Sequence, residues 1–220
     1  RAAAMRLWKR KPLQQFFGRP KSVVFANDAS ASERAAKKGH RLMRWANTGA
    51  DDAVLVEDGF IRSRGLGADL IAPLSLVLDD FGIYYDATRP SRLEALLNAS
   101  ENLDDTDRER ATALIERITD ARLSKYNLKA KPLPDLPKGR RILVPGQVED
   151  DASIKLGTTE VADNLTLLEI VRKANPAAVI IYKPHPDVEC RLRSGEVPNA
   201  NELADVILSN VDPIDAIEAV

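Results

Sequence analysis

The sequence predicts an α/β fold in which two Rossmann-like units face each other across a cleft, the second of them incomplete. Short apolar runs alternate with amphipathic segments of helical spacing in both halves of the 220-residue chain. One run, 177–182, is almost wholly apolar, which is typical of a buried parallel strand. Charged clusters directly follow several predicted strands, and parallel α/β sheets bind their ligands at that edge.

The amino-acid composition restricts the classes of protein to which this chain can belong. Hydrophobic residues make up 44% of the chain, enough for a sizeable core. The 32 basic residues balance 33 acidic ones, so no net field favours nucleic acid. Cys190 is the single cysteine and cannot form an internal disulfide, which favours a reducing compartment. There is no apolar run of about 18 residues and no apolar stretch typical of a signal-peptide h-region. The first residue is not Met and the pattern stops abruptly at Val220, so we expect a segment of a longer protein.

Residues 1–21 predict a basic amphipathic leader. They contain seven basic residues and no acid, interleaved with leucine and aromatic side chains and interrupted by Pro12. Such a segment suits the surface of an anionic membrane. The alternative is a linker whose aromatic side chains pack on the following domain.

Residues 22–138 predict the first Rossmann-like unit. The expected strands are 22–26, 41–46 and 53–56, and the expected helices are 31–38, 92–97 and 105–123. Runs at 74–78 and 82–85, separated by Asp79 to Gly82, predict a hairpin. Three prolines among charged residues make 128–140 the best candidate linker.

Residues 139–220 predict the start of a second such unit. A strand at 141–144 ends at Pro145-Gly146, and a helix at 163–174 precedes the apolar strand at 177–182. Asp212-Pro213 opens a final helix, whereas 201–208 is ambiguous.

The central candidate site directly follows the strand at 141–144. Its polar residues are Gln147, Glu149, Asp150, Asp151 and Ser153. Adjacent carboxylates repel one another unless a cation or hydrogen bonds compensate. The cluster is therefore a ligand site, a chelator of magnesium or manganese through its three acids, or a solvated acidic loop.

Two further charged clusters follow predicted strands. Lys183 and His185 lie beyond the strand at 177–182, where flanking prolines hold the histidine rigidly and the pair suits phosphate. The alternative is a histidine that bonds its own loop; His40 reads as a surface residue. Glu57 and Asp58 end another strand, and the arginines and glycines that follow suit an anionic substrate or a turn stabilised by salt bridges; these arginines are Arg62 and Arg64.

Five motifs in order resemble a known family, the KpsC (LipB) capsule polysaccharide proteins. They are Val56–Ser63, Pro73–Val77, Gly82–Thr88, Gln147–Ile154 and Tyr182–Val188, and the resemblance covers about residues 22 to 220. Members are retaining β-Kdo glycosyltransferases with two tandem modules, and these motif forms look like the second module. The resemblance implies a GT-B-like arrangement of the two units.

The resemblance also implies an activity, namely transfer of Kdo from CMP-β-Kdo to a Kdo-terminated phosphatidylglycerol lipid in capsule linker synthesis. By the family motif Asp151 is the nucleophile, since retention by double displacement needs a carboxylate that attacks and is then displaced. Glu57 or Asp58 is the candidate base, and Lys183 with His185 is expected to bind the CMP phosphate or the Kdo carboxylate.

The roles of the remaining candidate residues are inferred from the chemistry of their side chains rather than from the family motif. Gln147 and Ser153 are expected to position Asp151 or the sugar, and Arg62 and Arg64 to hold the acceptor's Kdo carboxylate. No metal, cofactor or nucleic acid is expected, and the acceptor's 7-hydroxyl is favoured over the 4-hydroxyl.

By the resemblance, the protein is expected in the cytoplasm, peripheral to the inner membrane, with a partner module in the same chain. Members continue beyond the equivalent of Val220 into a Ser/Gly-containing part of the nucleotide pocket, so these residues are expected to hold only part of the site. The alternatives are a metal-dependent sugar or nucleotidyl transferase that uses Glu149, Asp150 and Asp151, and a non-catalytic docking module of capsule assembly.

Overall fold

The computed structural model describes residues 1–3, 5–26, 34, 37–45, 53–67 and 69–220. Much of the predicted helix at 31–38 and the last residue of the predicted strand at 41–46 lie outside the described residues. The chain divides into two compact units, Arg1–Asn127 and Leu128–Val220. The predicted division at residues 138 and 139 differs from this one.

In its described part, the first unit contains a five-stranded sheet with the order β2-β1-β3-β4-β5. The strands are β1 (Ala2–Ala3), β2 (Phe25–Ala26), β3 (Leu42–Trp45), β4 (Ala53–Asp58) and β5 (Leu76–Asp79). The first four are parallel, and β5 pairs with β4 in the antiparallel direction. Glu57 and Asp58 are the last two residues of β4 and lie at its carboxyl end.

Residues 1–21 do not form a separate leader, which corrects the prediction. Strand β1 lies between β2 and β3, and helix α1 (Leu7–Phe17) buries Leu13 completely. Leu13 packs with Ala2, Trp45 and Val56 in the core of the first unit. The apolar side chains of this segment thus cover the sheet, and its contact with a membrane stays a prediction.

The predicted hairpin at 74–85 is wrong in its second strand. The carboxylate of Asp79 accepts hydrogen bonds from the backbone N–H groups of Phe81 and Gly82, both at 2.9 Å, and of Arg92 at 2.8 Å. These bonds turn the chain at the end of β5 into a loop. Helices α2 (Arg92–Ala99) and α3 (Asp105–Asp120) follow, near their predicted positions.

The second unit contains a parallel three-stranded sheet with the order β6-β7-β8. Its strands are β6 (Arg141–Pro145), β7 (Val179–Lys183) and β8 (Val206–Ile207), and its helices are α4 (Ala152–Gly157), α5 (Asn164–Ala174), α6 (Pro186–Glu189) and α7 (Pro213–Glu218). One side of the sheet packs with Leu168 of α5, and the other packs with Leu208 and Ala216.

The predicted linker at 128–140 belongs to the second unit. Leu133 and Leu136 pack against the core cluster around Ile181, and Lys131 forms a parallel bridge with Val211. The leucines between the prolines therefore anchor the segment. Among the described helices, none has the length and apolar character that a membrane span requires.

Candidate active site

Two predicted motifs follow the paired strands β6 and β7 of the second sheet. Pro145 at the end of β6 is paired in register with Lys183 at the end of β7. The Gly146 N–H donates to the carbonyl of Lys183 at 2.8 Å. A Cβ at position 146 would lie 2.8 Å from the hydroxyl oxygen of Tyr182 and 3.1 Å from Cα of Pro184. Glycine is therefore required for the approach of the loops 146–151 and 184–187.

Asn164 holds the first of these loops. Its side chain is 2% exposed, its Oδ1 accepts from Gln147 N at 2.8 Å, and its Nδ2 donates to the carbonyls of Gln147 and Gly195 at 2.9 and 2.8 Å. Its backbone N–H donates to Glu149 Oε1 at 2.9 Å. The Glu149 side chain therefore accepts a hydrogen bond from the first turn of α5 in this structure. No local sequence pattern indicated this role for Asn164.

The Asn164→Ala variant is expected to destabilise the second unit by about 2–4 kcal/mol, because it leaves the Gln147 amide and two carbonyls without partners. Hydrogen exchange of the Gln147 amide and denaturant unfolding followed by far-UV circular dichroism measure this effect. Asn201→Ala is the control, since Asn201 is exposed in a short 3₁₀ turn. Unchanged protection of Gln147 in Asn164→Ala would contradict the role.

Asp151 is the N-cap residue of α4 and lies within reach of solvent. Its Oδ2 accepts from the hydroxyl of Ser153 at 2.8 Å and from Ser153 N at 3.4 Å. Its side chain is 48% exposed. The carboxylate is thus oriented by the first turn of a helix while its outer face can meet a ligand. Gln147 is also exposed, and its Nε2 donates to the carbonyl of Pro145 at 3.3 Å.

Arg193 supplies a cation beside the acidic cluster. Its Nε donates to both carboxylate oxygens of Asp150, at 3.0 and 3.3 Å, and its Nη2 donates to Asp151 Oδ1 at 3.5 Å. The hydrogen bond from Arg193 lowers the pKa of Asp150 below its usual value. The sequence predicted that a compensating cation was needed, but no spacing signal pointed to Arg193.

Lys183 and His185 occupy the neighbouring loop. Lys183 is buried at the end of β7, and His185 is the N-cap residue of α6. Nδ1 of His185 accepts from the Asp187 N–H at 3.1 Å and lies 3.9 Å from Asp187 Oδ2. An accepting Nδ1 places the hydrogen of the neutral ring on Nε2, so Nε2 is a hydrogen-bond donor. The histidine does bond its own loop, as one interpretation expected.

Glu57 lies in a partly buried cluster of the first unit. Its Oε1 accepts from Trp45 Nε1 at 3.1 Å and from Asp58 N at 2.8 Å. Burial raises the pKa of Glu57. Lys9 Nζ lies 3.2 Å from the centroid of the Trp45 ring, and burial lowers the pKa of Lys9 to about 8, although Glu57 opposes this shift. The raised pKa of Glu57 suits a proton acceptor.

Arg62 forms the centre of the loop after β4. Its guanidinium is 1% exposed and donates to Asp58 Oδ2 at 2.5 Å, Ser63 Oγ at 2.7 Å and the carbonyl of Ile71 at 2.9 Å. A Cβ at Gly67 would lie 2.9 Å from Arg62 Nη2, so this glycine makes room for the arginine. The geometry favours a structural role for Arg62 over the predicted contact with a substrate carboxylate. Arg64 is exposed on the same loop.

Within the described residues, no group of three or more histidine, cysteine, aspartate or glutamate side chains has an arrangement that could hold a metal ion. Asp150 and Asp151 contact the guanidinium of Arg193 instead. That the acids of the first unit converge on Asp151 stays a prediction.

The fold and the site define a class, the α/β proteins that present polar side chains at the carboxyl edge of a parallel sheet. The family described as "Capsule polysaccharide biosynthesis protein" matches residues 32–132 and 109–209. The chain therefore belongs to this family.

Curated relatives from two organisms match the chain. The capsule polysaccharide modification protein LipA of Neisseria meningitidis is 42% identical over 209 residues, which cover 88% of this chain and 29% of LipA. The lipopolysaccharide-processing protein LpsZ of Rhizobium meliloti is 50% identical over 139 residues, which cover 60% of this chain and 31% of LpsZ. The chain thus spans about a third of the length of these relatives.

Two solved structures of Thermosulfurimonas dismutans KpsC also match. The β-Kdo 2,7 transferase has a TM-score of 0.75 and 34% identity, with 100% of this chain and 69% of that chain covered. The β-Kdo 2,4 transferase has a TM-score of 0.79 and 27% identity, with 99% and 71% covered. These matches confirm the resemblance to KpsC-type capsule proteins and the predicted α/β fold class.

Proposed function

We propose that this chain carries most of the second transferase module of a KpsC-type capsule protein. The module transfers Kdo from CMP-β-Kdo to a Kdo-terminated phosphatidylglycerol lipid in capsule linker synthesis, with retention at the anomeric carbon. The observation that carries the proposal is the half-exposed Asp151 carboxylate, oriented by Ser153 and Arg193, beside the loop of Lys183 and His185. The names of the KpsC structures support a Kdo transferase.

In the first step, Asp151 attacks the anomeric carbon of the donor sugar. A bond forms between its carboxylate oxygen and that carbon, while the bond from the carbon to the phosphate oxygen breaks and CMP leaves with the electron pair. The leaving phosphate gains negative charge. Lys183 and His185 stabilise that charge from the end of β7 and the loop that follows it.

In the second step, an acceptor hydroxyl displaces Asp151 and gives up its proton to a base. Glu57 is the preferred base, because burial raises its pKa, whereas Oδ2 of Asp58 already accepts from Arg62. Double inversion leaves the β configuration of Kdo unchanged.

The proposed linkage is to the 7-hydroxyl of the acceptor Kdo. Support comes from the higher identity to the 2,7 transferase, 34% against 27% for the 2,4 transferase. The TM-scores, 0.75 and 0.79, differ in the other direction, but side chains rather than the backbone path decide which hydroxyl is presented. We further propose that the full-length protein works at the cytoplasmic face of the inner membrane, beside its partner module.

The test is mass spectrometry of the full-length protein after incubation with CMP-Kdo and no acceptor. Trypsin releases residues 142–155 as one peptide, because cleavage follows Arg141 and Lys155. A Kdo-sized mass on Asp151 within this peptide, formed equally in EDTA, is the expected result. Adduct formation abolished by EDTA and restored by magnesium would favour the metal-dependent alternative. No adduct and no binding of CMP would overturn the proposal in favour of a docking module.

A further inference from the structure

We propose that Arg193 is a positioning residue for the transfer reaction: it turns the Asp151 carboxylate toward the donor. This inference rests on the proposed function. Arg193 lies just beyond α6, whereas the carboxylates that it contacts precede α4. The Arg193 side chain thus connects the segment after α6 to the carboxylates of the loop 146–151.

The backbone that carries Arg193 is attached to both loops. Arg193 N donates to the carbonyl of Asp187 at 3.2 Å, and the carbonyl of Ser194 accepts from Glu149 N at 3.2 Å. Gly195 adopts a φ of +129°, and a Cβ there would lie 2.6 Å from the carbonyl oxygen of Gln147. These contacts fix the backbone position of Arg193. The two loops therefore determine the place from which its side chain extends.

The three acids of the cluster have different hydrogen-bond partners. Glu149 accepts from the start of α5, and Asp150 receives Nε of Arg193 on both of its oxygens. The second nitrogen of the fork then reaches Oδ1 of Asp151, while Oδ2 is bonded to Ser153. Asp150 is thus the anchor of the arginine, and Asp151 is the carboxylate that it orients. A planar guanidinium can bridge two carboxylates in this way, whereas an ammonium acts as a point charge.

The solvent exposure of these three side chains favours a functional role for Arg193 over a structural one. The side chain of Arg193 is 35% exposed, and those of Asp150 and Asp151 are each 48% exposed. Ion pairs in contact with water contribute little to the stability of a fold. The same guanidinium still acts on the nucleophile, because its contact with Oδ1 sets the direction of the Asp151 carboxylate. Loss of Arg193 should therefore change the reaction far more than the melting temperature.

The experiment compares Arg193→Gln, Arg193→Lys and the control Arg191→Gln in the full-length protein. For Arg193→Gln we expect adduct formation on Asp151 to slow by about 10- to 100-fold, as for other misplaced reacting groups. Its KM for CMP-Kdo and its melting temperature should be unchanged. Arg193→Lys should restore only part of the rate, because it restores the charge without the fork. Arg191 is exposed two residues away, so Arg191→Gln should match the wild type.

Each other outcome counts against the inference. An unchanged rate in Arg193→Gln overturns it. A rise in KM for CMP-Kdo with kcat unchanged assigns Arg193 to donor binding instead. A fall in melting temperature that accounts for the lost rate makes the residue structural. A wild-type protein that forms no adduct and does not bind CMP overturns the proposed function, and this inference with it. Adduct in the wild type with no effect of Arg193→Gln overturns the inference alone.

Discussion

Kdo transfer by the Asp151→Asn variant is expected to fall by about a thousandfold or more, the scale of loss when a nucleophile is removed. The amide has the shape of the carboxylate but cannot form and release a glycosyl ester. Asparagine caps a helix about as well as aspartate does, so the bond from Ser153 and the start of α4 should persist. Transfer from CMP-Kdo to a synthetic Kdo-terminated acceptor, measured with the melting temperature, tests this prediction.

Asp163→Asn is a closely matched control. Asp163 caps α5 as Asp151 caps α4: its carboxylate accepts from Thr166 N at 2.7 Å and from the Thr166 hydroxyl at 2.8 Å. Both substitutions therefore exchange a capping carboxylate for an amide, and only one of them removes the proposed nucleophile. Wild-type activity in both variants would remove Asp151 from that role, and an equal loss in both would assign the effect to helix capping.

The sequence predicted the parts of this site that depend on local patterns. Apolar runs followed by Pro145-Gly146 and by Pro184 mark where β6 and β7 end, and parallel strands place their following residues at one edge. The positions of Asp151 and His185 at that edge follow from those two facts. The sequence did not indicate Asn164 or Arg193, which reach this loop from 17 and more than 40 residues away. Such partners are chosen by tertiary packing, which has no periodic signal.

Two errors in the first unit have other physical causes. Strand β1 is a pair of alanines, Ala2–Ala3, too short to show any alternation, so the surrounding basic residues dominated the prediction of a leader. The expected hairpin followed from apolar spacing at 82–85, but the three hydrogen bonds accepted by Asp79 turn the backbone away from a ladder. In both places a few specific backbone contacts outweigh the pattern of the side chains.

The loop after β4 illustrates a different ambiguity, because arginine and glycine together are typical of both an anion site and a self-contained turn. Arg62→Met is expected to destabilise the first unit by about 3–5 kcal/mol, since it removes one partner of a largely buried ion pair. Asp58 Oδ1 is buried without a hydrogen-bond partner, so the Asp58 carboxylate relies on Arg62 at its other oxygen. Denaturant unfolding followed by tryptophan fluorescence reports this unit, because Trp8 and Trp45, the two tryptophans of this chain, both belong to it.

Arg64→Met separates the two interpretations of this loop. Arg64 is exposed, so its loss should leave the free energy of unfolding within about 0.5 kcal/mol of the wild type. If Arg64 holds the acceptor's carboxylate, the variant should show a raised KM for the Kdo-terminated acceptor and an unchanged rate of adduct formation on Asp151. An Arg62→Met protein as stable as the wild type would show that the guanidinium is not structural, and would return Arg62 to its predicted place among the substrate-binding residues.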